Sequence, residues 1–361
     1  MSAIFGILGI SETDRVFVNT IGQQVVYDAV QELLNRHNTE VQAALGVFVD
    51  TETEDWKFRY KLPGSGYLQE RGGQAQSGSN KRIGSWDVAL PLRDYGAALG
   101  GTDIGLAYMT VQELNAHLDT ITLQDINTVR YEILRTLLDS AQYTFSDEDS
   151  NVGDLTITPL ANGDSVVYPP VLGNDTEATE NHYLESGYLA SAISDTNNPY
   201  ATIRDELEEH FGNPTGGSNL VVFINNAQVA KTEALTDFVE VTDRFVSPGD
   251  QTPTVFGLPA SLPGRIIGRT NSCWVAEWRW IPANYMVGIH TDAARPLRMR
   301  VDQGATGLPR GLNLVSESDM YPLRNSHYRH RFGLAVVNRL NGVIMELGNG
   351  GTYTVPTGYS H

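Results

Sequence analysis

The chain has 361 residues, 41% of them hydrophobic, with 35 glycines and 16 prolines; this is too long for one small core and too apolar for disorder, so two lobes or one elongated multi-part subunit rich in turns is expected. Its formal net charge of -18 disfavours tight nucleic-acid binding by the chain as a whole, because an acidic surface repels phosphate. Cys273 is the single cysteine, which excludes an intrachain disulfide; with no signal-peptide pattern at the start and no apolar run near ~18 residues, an unsecreted protein without a membrane span is expected.

Residues 1–20 lack periodicity and read as an extended arm. From Gln23 to Asn35, Val26, Ala29, Val30, Leu33 and Leu34 recur at three- and four-residue spacing, which predicts a short amphipathic helix. Residues 43–62 and 82–92 carry β-favouring side chains (Val47, Phe48, Val49, Trp56, Phe58, Tyr60; Ile83, Trp86, Val88, Leu90) around a tip rich in Gly, Ser and Gln, the pattern of a projecting β-hairpin. Isolated hairpins are marginal in water, and this one is expected to need a neighbour because its own subunit cannot cover its length.

A long helix is predicted over Leu123–Tyr143, with Thr122 and Asp125 as a capping-box start and Ile126, Val129, Ile133, Leu134, Leu137, Leu138 and Ala141 on one face. At 1.5 Å per residue it would be roughly 30 Å long. The segment around Leu155, the Asn162-Gly163 pair and Ser165–Tyr168 reads as a tight hairpin. Residues 171–330 read as an α/β lobe. It has a helix near Ile203–Phe211, the buried-type strand Leu220–Ile224, a cap at Asn225-Asn226 before a helix near Ala227–Phe238, and strands near Cys273–Ile281 and Tyr285–Ile289. Phe332–Arg339, Asn341-Gly342 and Val343–Leu347 predict a closing hairpin on a type I′ turn.

Candidate chemistry fails residue by residue. The eight histidines form no metal motif: His327 and His330 lack the Glu and the i, i+4 spacing of a zinc-protease helix. Asp147, Asp149 and Asn151 imitate the start of a calcium loop, but Val152 and Thr158 stand where the Gly and the bidentate Glu belong. Lys231-Thr232 has no Gly-rich loop before it, Gly100–Gly105 lacks dinucleotide spacing, and Leu184–Gly187 is not a nucleophile elbow. Cys273 lies among bulky apolar residues, where a thiol is inert. Trp274, Trp278 and Trp280 share strand parity with Ala276, and a buried aromatic core is favoured over a sugar-binding platform. No catalytic, metal or cofactor site is expected. The arginines Arg265, Arg269, Arg279, Arg295, Arg298, Arg300, Arg310, Arg324, Arg329, Arg331 and Arg339 crowd the last third, where acids are sparse. Pairing between basic and acidic parts of neighbouring copies would use that asymmetry, and intramolecular pairs would explain it equally well.

In order, these elements resemble the Hong Kong 97-type fold of tailed-bacteriophage major capsid proteins, an α+β fold. Asn181–Leu184, Leu220–Asn226, Phe256–Gly268 and Ile281–Val287 are similar to axial-domain segments, and Arg331–Gly342 resembles the closing peripheral hairpin. The resemblance implies an N-terminal arm and short helix (1–38), an extended loop (39–100), a spine helix and first part of a peripheral domain (101–170), an inserted axial domain (171–320) and return strands of the peripheral domain (321–361). It implies a structural, non-enzymatic subunit that self-assembles into hexamers and pentamers of an icosahedral shell around double-stranded DNA. The setting it implies is a virion capsid built in the bacterial host cytoplasm. A separate scaffolding protein, a portal protein, a decoration or cement protein and weak, non-specific contact with packaged DNA are the implied partners, with no membrane. Arg71, Lys81, Arg82, Arg329 and Arg331 are the expected inter-subunit contacts. Lys57, Lys61 and Lys81 fall in the extended loop, but the other partners of the family's covalent cross-link find no match, so noncovalent locking is expected. Two alternatives stand beside this: an encapsulin-type nanocompartment shell, or a β-rich enzyme or carbohydrate-binding protein using the tryptophan strand.

Overall fold

A computed structural model describes residues 23–61, 85–102, 109–147, 152–169, 171, 178–211, 219–240, 262–304, 307, 310–320 and 323–361. The expected arm (1–20), the hairpin tip and the adjoining ends of its predicted strands (62–84 together) lie outside these residues, and with them Arg71, Lys81 and Arg82. In chain order the elements are α1 (Gln23–Leu45), β1 (Val49–Thr53), β2 (Lys57–Lys61), β3 (Ser85–Ala89), β4 (Arg93–Thr102), α2 (Val111–Leu138), β5 (Tyr143–Asp147) and β6 (Gly153–Ile157). There follow β7 (Tyr183–Glu185), α3 (Pro199–Phe211), β8 (Leu220–Ile224), α4 (Asn226–Thr232), β9 (Val239–Glu240), β10 (Arg265–Thr270), β11 (Cys273–Glu277) and β12 (Tyr285–His290). The chain closes with β13 (Leu297–Val301), β14 (Asn313–Met320), β15 (Leu323–Val336) and β16 (Val343–Glu346). No helix among the described residues is long and apolar enough to cross a membrane. Two compact units emerge: Met1–Leu45, Pro91–Glu132 and Arg300–Gly333 form the first, and Gly46–Leu90, Ile133–Met299 and Leu334–His361 the second.

In the first unit, β15 pairs antiparallel with β14 on one side and with β4 on the other, so residues 93–102 belong to a sheet and not to the expected loop. Its core joins Val30 and Leu34 of α1, Leu118 and Ile121 of α2, Leu312 and Tyr328. Helix α1 runs ten residues past the predicted end, and polar residues of this added stretch are used inside. His37 is buried against Asp125, and Asn38 clasps the backbone of Leu312 through its carbonyl (2.8 Å) and amide (3.0 Å). Helix α2 starts twelve residues before the predicted point. The working capping box is Thr110 and Glu113: the Glu113 carboxylate accepts from the Thr110 N–H (2.9 Å), while Thr110 Oγ1 accepts from the Glu113 N–H (3.2 Å). Close approach also requires a glycine here, since a Cβ on Gly333 would stand 1.9 Å from the Pro91 carbonyl oxygen.

The second unit carries a seven-stranded sheet in the order β7-β16-β12-β8-β11-β10-β9. At its centre β8, every residue buried, pairs parallel with β11 and antiparallel with β12. Such a run, apolar on both faces, needs cover on both sides. One cover is α3, whose Tyr200, Ile203 and Leu207 sit in the core with Val222, Ile224, Met286 and Val343. The Asn225 cap is as predicted, its side-chain oxygen accepting from the Ala227 N–H at 2.9 Å.

Two predicted hairpins are replaced. Helix α2 stops at Leu138, where Asp139 Oδ1 turns the chain by accepting from the Ala141 N–H (3.0 Å), and β5 then pairs with β6 across the polar run. Asn162 and Tyr168 instead make single bridges to Asn181 and Ala178. At the C-terminal end β15 and β16 do not pair: β16 lies between β12 and β7. The Asn341 side chain is fully buried and imitates a strand partner, accepting from the His290 N–H (2.9 Å) and donating to the carbonyls of His290 (3.0 Å) and Ala294 (2.8 Å). Its chemistry is spent on core cross-linking, so the Asn-Gly pair links strands of different sheets. Strand β16, expected among the peripheral strands, is therefore a member of the lobe that holds β7 to β12.

Candidate functional site

The root of the expected extended loop is the two-stranded ladder of β2 and β3, in the register Lys57↔Ala89 to Lys61↔Ser85. One face is apolar and packed: Trp86, Val88, Ala89 and Leu90 are buried with Leu155, Ile157, Tyr168, Ala335 and Val337, and Phe58 and Tyr60 lie against them. The Trp86 indole N–H donates to the Val337 carbonyl at 3.0 Å. The expectation that this hairpin cannot pack on its own subunit fails at its root, because alternation gives β2 and β3 an aromatic inner face. The outer face is charged, with Lys57 and Arg59 at 3.9 and 4.0 Å from Asp87, all substantially exposed.

The crowd of arginines in the last third is largely answered within the chain. Arg329 makes a bidentate pair with Asp94, its Nε 2.6 Å from Oδ1, and Arg331 Nη1 lies 2.8 Å from Asp302 Oδ1. Arg298 reaches Asp50 (3.2 Å), and Arg265 and Arg279 share Glu277 (3.0 and 3.3 Å). Arg339 is fully buried, donating to the carbonyls of Pro159 (2.7 Å) and Leu160 (3.1 Å) and to Asp164 (2.8 Å), with its guanidinium over the Tyr168 ring. The two described members of the expected contact set, Arg329 and Arg331, thus both hold carboxylates of their own chain in the first unit.

Asp125 with its two histidines, Cys273 and two of the tryptophans are occupied structurally. Asp125 is buried between His330 Nδ1 (2.6 Å) and His37 Nε2 (2.9 Å). Burial pushes its carboxyl pKa up, but the hydrogen bonds and positive potential of the two imidazoles outweigh this and hold it below the usual carboxylate value. Neither the aspartate nor its histidines showed in the sequence as a unit, since they lie 88 and 205 residues apart. Cys273 is buried and its thiol is pushed up to about 12 by burial, the opposite of a nucleophile. Trp274 and Trp278 are buried, Trp278 packing on Phe48 and Phe223, so these two are core; Trp280, three residues past the end of β11, is half-buried.

No protein-family model matches the chain, and no curated protein matches it. Solved structures do. One from Mycobacterium phage Patience is 20% identical and superposes with a TM-score of 0.67 over 96% of this chain and 93% of that chain. The asymmetric unit of the bacteriophage PhiM1 mature capsid is 7% identical, with a TM-score of 0.50 over 83% of this chain and 86% of that one. The chain therefore has a phage-capsid architecture, mixed helix and sheet, consistent with the Hong Kong 97-type fold.

Proposed function

We propose that this protein is the major capsid protein of a tailed bacteriophage, a structural subunit that catalyses no reaction and self-assembles as hexamers and pentamers into an icosahedral shell around double-stranded DNA. The observation that carries the reading is the fold match over nearly the whole of both chains, at a TM-score of 0.67. Three features support it: Asp125 with its two histidines and Cys273 are consumed in packing, the hairpin root shows a charged outer face, and the long helix α2 runs through 28 residues, about 42 Å at 1.5 Å per residue.

In this reading the segment between β2 and β3 is the extended loop, α2 the spine, and the lobe around β8 the axial domain. Arg71, Lys81 and Arg82 on the loop, and Arg329 and Arg331 on β15, meet neighbouring subunits. Many weak contacts summed over a symmetric lattice would hold the shell. A separate scaffolding protein directs assembly in the host cytoplasm, a portal protein occupies one vertex, and a decoration protein reinforces the mature virion capsid. With a net charge of -18 the contact with packaged DNA is weak and non-specific. Electron microscopy of the expressed chain, alone and with the scaffolding protein of the same phage, tests the proposal. Closed shells or capsomer rings are the expected result; a folded chain that stays monomeric under both conditions overturns it.

A further inference from the structure

On one face of α3, Glu206, Glu209 and His210 stand at i, i+3 and i+4, so their side chains emerge together. Glu180 joins them from the segment preceding β7: the ligand atoms of Glu180, Glu209 and His210 all lie within 4.8 Å of one another. His210 Nε2 is 3.4 Å from Glu209 Oε1. Two ligands on a tetrahedral zinc ion, with bonds of about 2.1 Å, are separated by roughly that same distance.

A second observation lies beside this group. His182 is fully buried, its Nδ1 sits 2.8 Å from the Gly342 carbonyl oxygen, and its Nε2 has no hydrogen-bond partner. The carbonyl accepts, so Nδ1 carries the proton and Nε2 bears a lone pair; this is how a backbone carbonyl fixes the tautomer of a metal-binding imidazole. The Nε2 atom lies 4.0 Å from Glu206 Oε1, and the ring stacks on His210 with centroids 5.5 Å apart.

We propose that Glu180, Glu209 and His210 form a site for a divalent ion of the zinc class, with His182 and Glu206 as adjoining donors. One imidazole with carboxylate oxygens suits such an ion, which takes nitrogen and oxygen donors at about 2.0–2.2 Å.

The test is equilibrium dialysis of the chelator-treated full chain against zinc chloride, with metal analysis. It is read on unassembled protein, so it stands apart from shell formation. One ion per chain is expected. E180Q should weaken binding by about tenfold or more, and E209Q/H210Q should abolish it. X-ray absorption at the zinc edge should show nitrogen and oxygen donors with imidazole scattering. The proposal is overturned if folded wild-type chain takes up no stoichiometric zinc, if E180Q and wild type bind equally, or if sulfur from Cys273 appears among the donors.

Discussion

His330 Nδ1 stands 2.6 Å from Asp125 Oδ1, joining strand β15 to helix α2 inside the first unit, while the second carboxylate oxygen is taken by His37 of α1. One buried aspartate therefore ties three elements together, and removing its charge leaves two imidazoles facing a poor partner. Asp125→Asn should destabilise the chain by about 1–3 kcal/mol at neutral pH. The pH dependence has a definite sign. The folded carboxyl pKa lies below its ordinary 3.8, so the aspartate's contribution is complete above that value and fades as pH falls through the lower folded value. Thermal unfolding of both proteins between neutrality and strong acid should show a gap that closes at the acid end. A gap that widens there contradicts this account.

Arg339 presents the opposite case, a buried cation whose partners are mostly carbonyls. Its guanidinium spans Pro159, Leu160 and Asp164, so Arg339→Met should strand those acceptors and cost about 3–5 kcal/mol in chemical denaturation. Arg339→Lys should recover little, because an ammonium cannot reach three acceptors in one plane or lie flat on Tyr168. Full recovery by lysine would show that charge alone matters here.

Where apolar periodicity dominates, the sequence is legible. The buried strand at Leu220–Ile224, the Asn225 cap, the strands near Cys273 and Tyr285 and the start of α1 all follow from spacing. The order of elements carried the fold class as well. Polar residues with two plausible uses were misread. Thr122 with Asp125 and Thr110 with Glu113 both have the capping-box spacing, and only the fold shows that Asp125 is claimed by two histidines. Asn341-Gly342 has the composition of a hairpin turn, but burial of the asparagine against His290 and Ala294 decides otherwise. The spacing of Glu206, Glu209 and His210 is visible in the sequence; what could not be seen is that Glu180 and His182 are delivered beside them by the strand β7 segment.

At Gly288 helix α3 comes close to the sheet, and an added Cβ would meet Ile203 Cγ2 at 2.3 Å. Gly288→Ala should therefore destabilise by about 1–3 kcal/mol through overpacking. Ile203→Ala alone opens a cavity at a fully buried position and should cost about 2–5 kcal/mol. Together the two should cost less than their sum, since the alanine methyl enters space the isoleucine vacates; a coupling of about 0.5–3 kcal/mol is expected from a double-mutant cycle. Strict additivity would mean that the helix shifts instead of clashing.

The pair between Arg329 and Asp94 allows the assembly contacts to be separated from folding. Both side chains are partly exposed, so Arg329→Glu should change unfolding free energy by less than about 1 kcal/mol. If Arg329 also meets a neighbouring subunit, the same change lowers the yield of shells, counted by electron microscopy. The exchange Asp94→Arg with Arg329→Glu restores the pair inside the chain but presents reversed charges to the neighbour. Under the proposed function the exchanged protein should be as stable as wild type and still assemble poorly, as should a chain with Lys81→Glu and Arg82→Glu. Recovery of assembly by the exchange would confine Arg329 to an intramolecular role and leave the loop residues as the contacts to pursue.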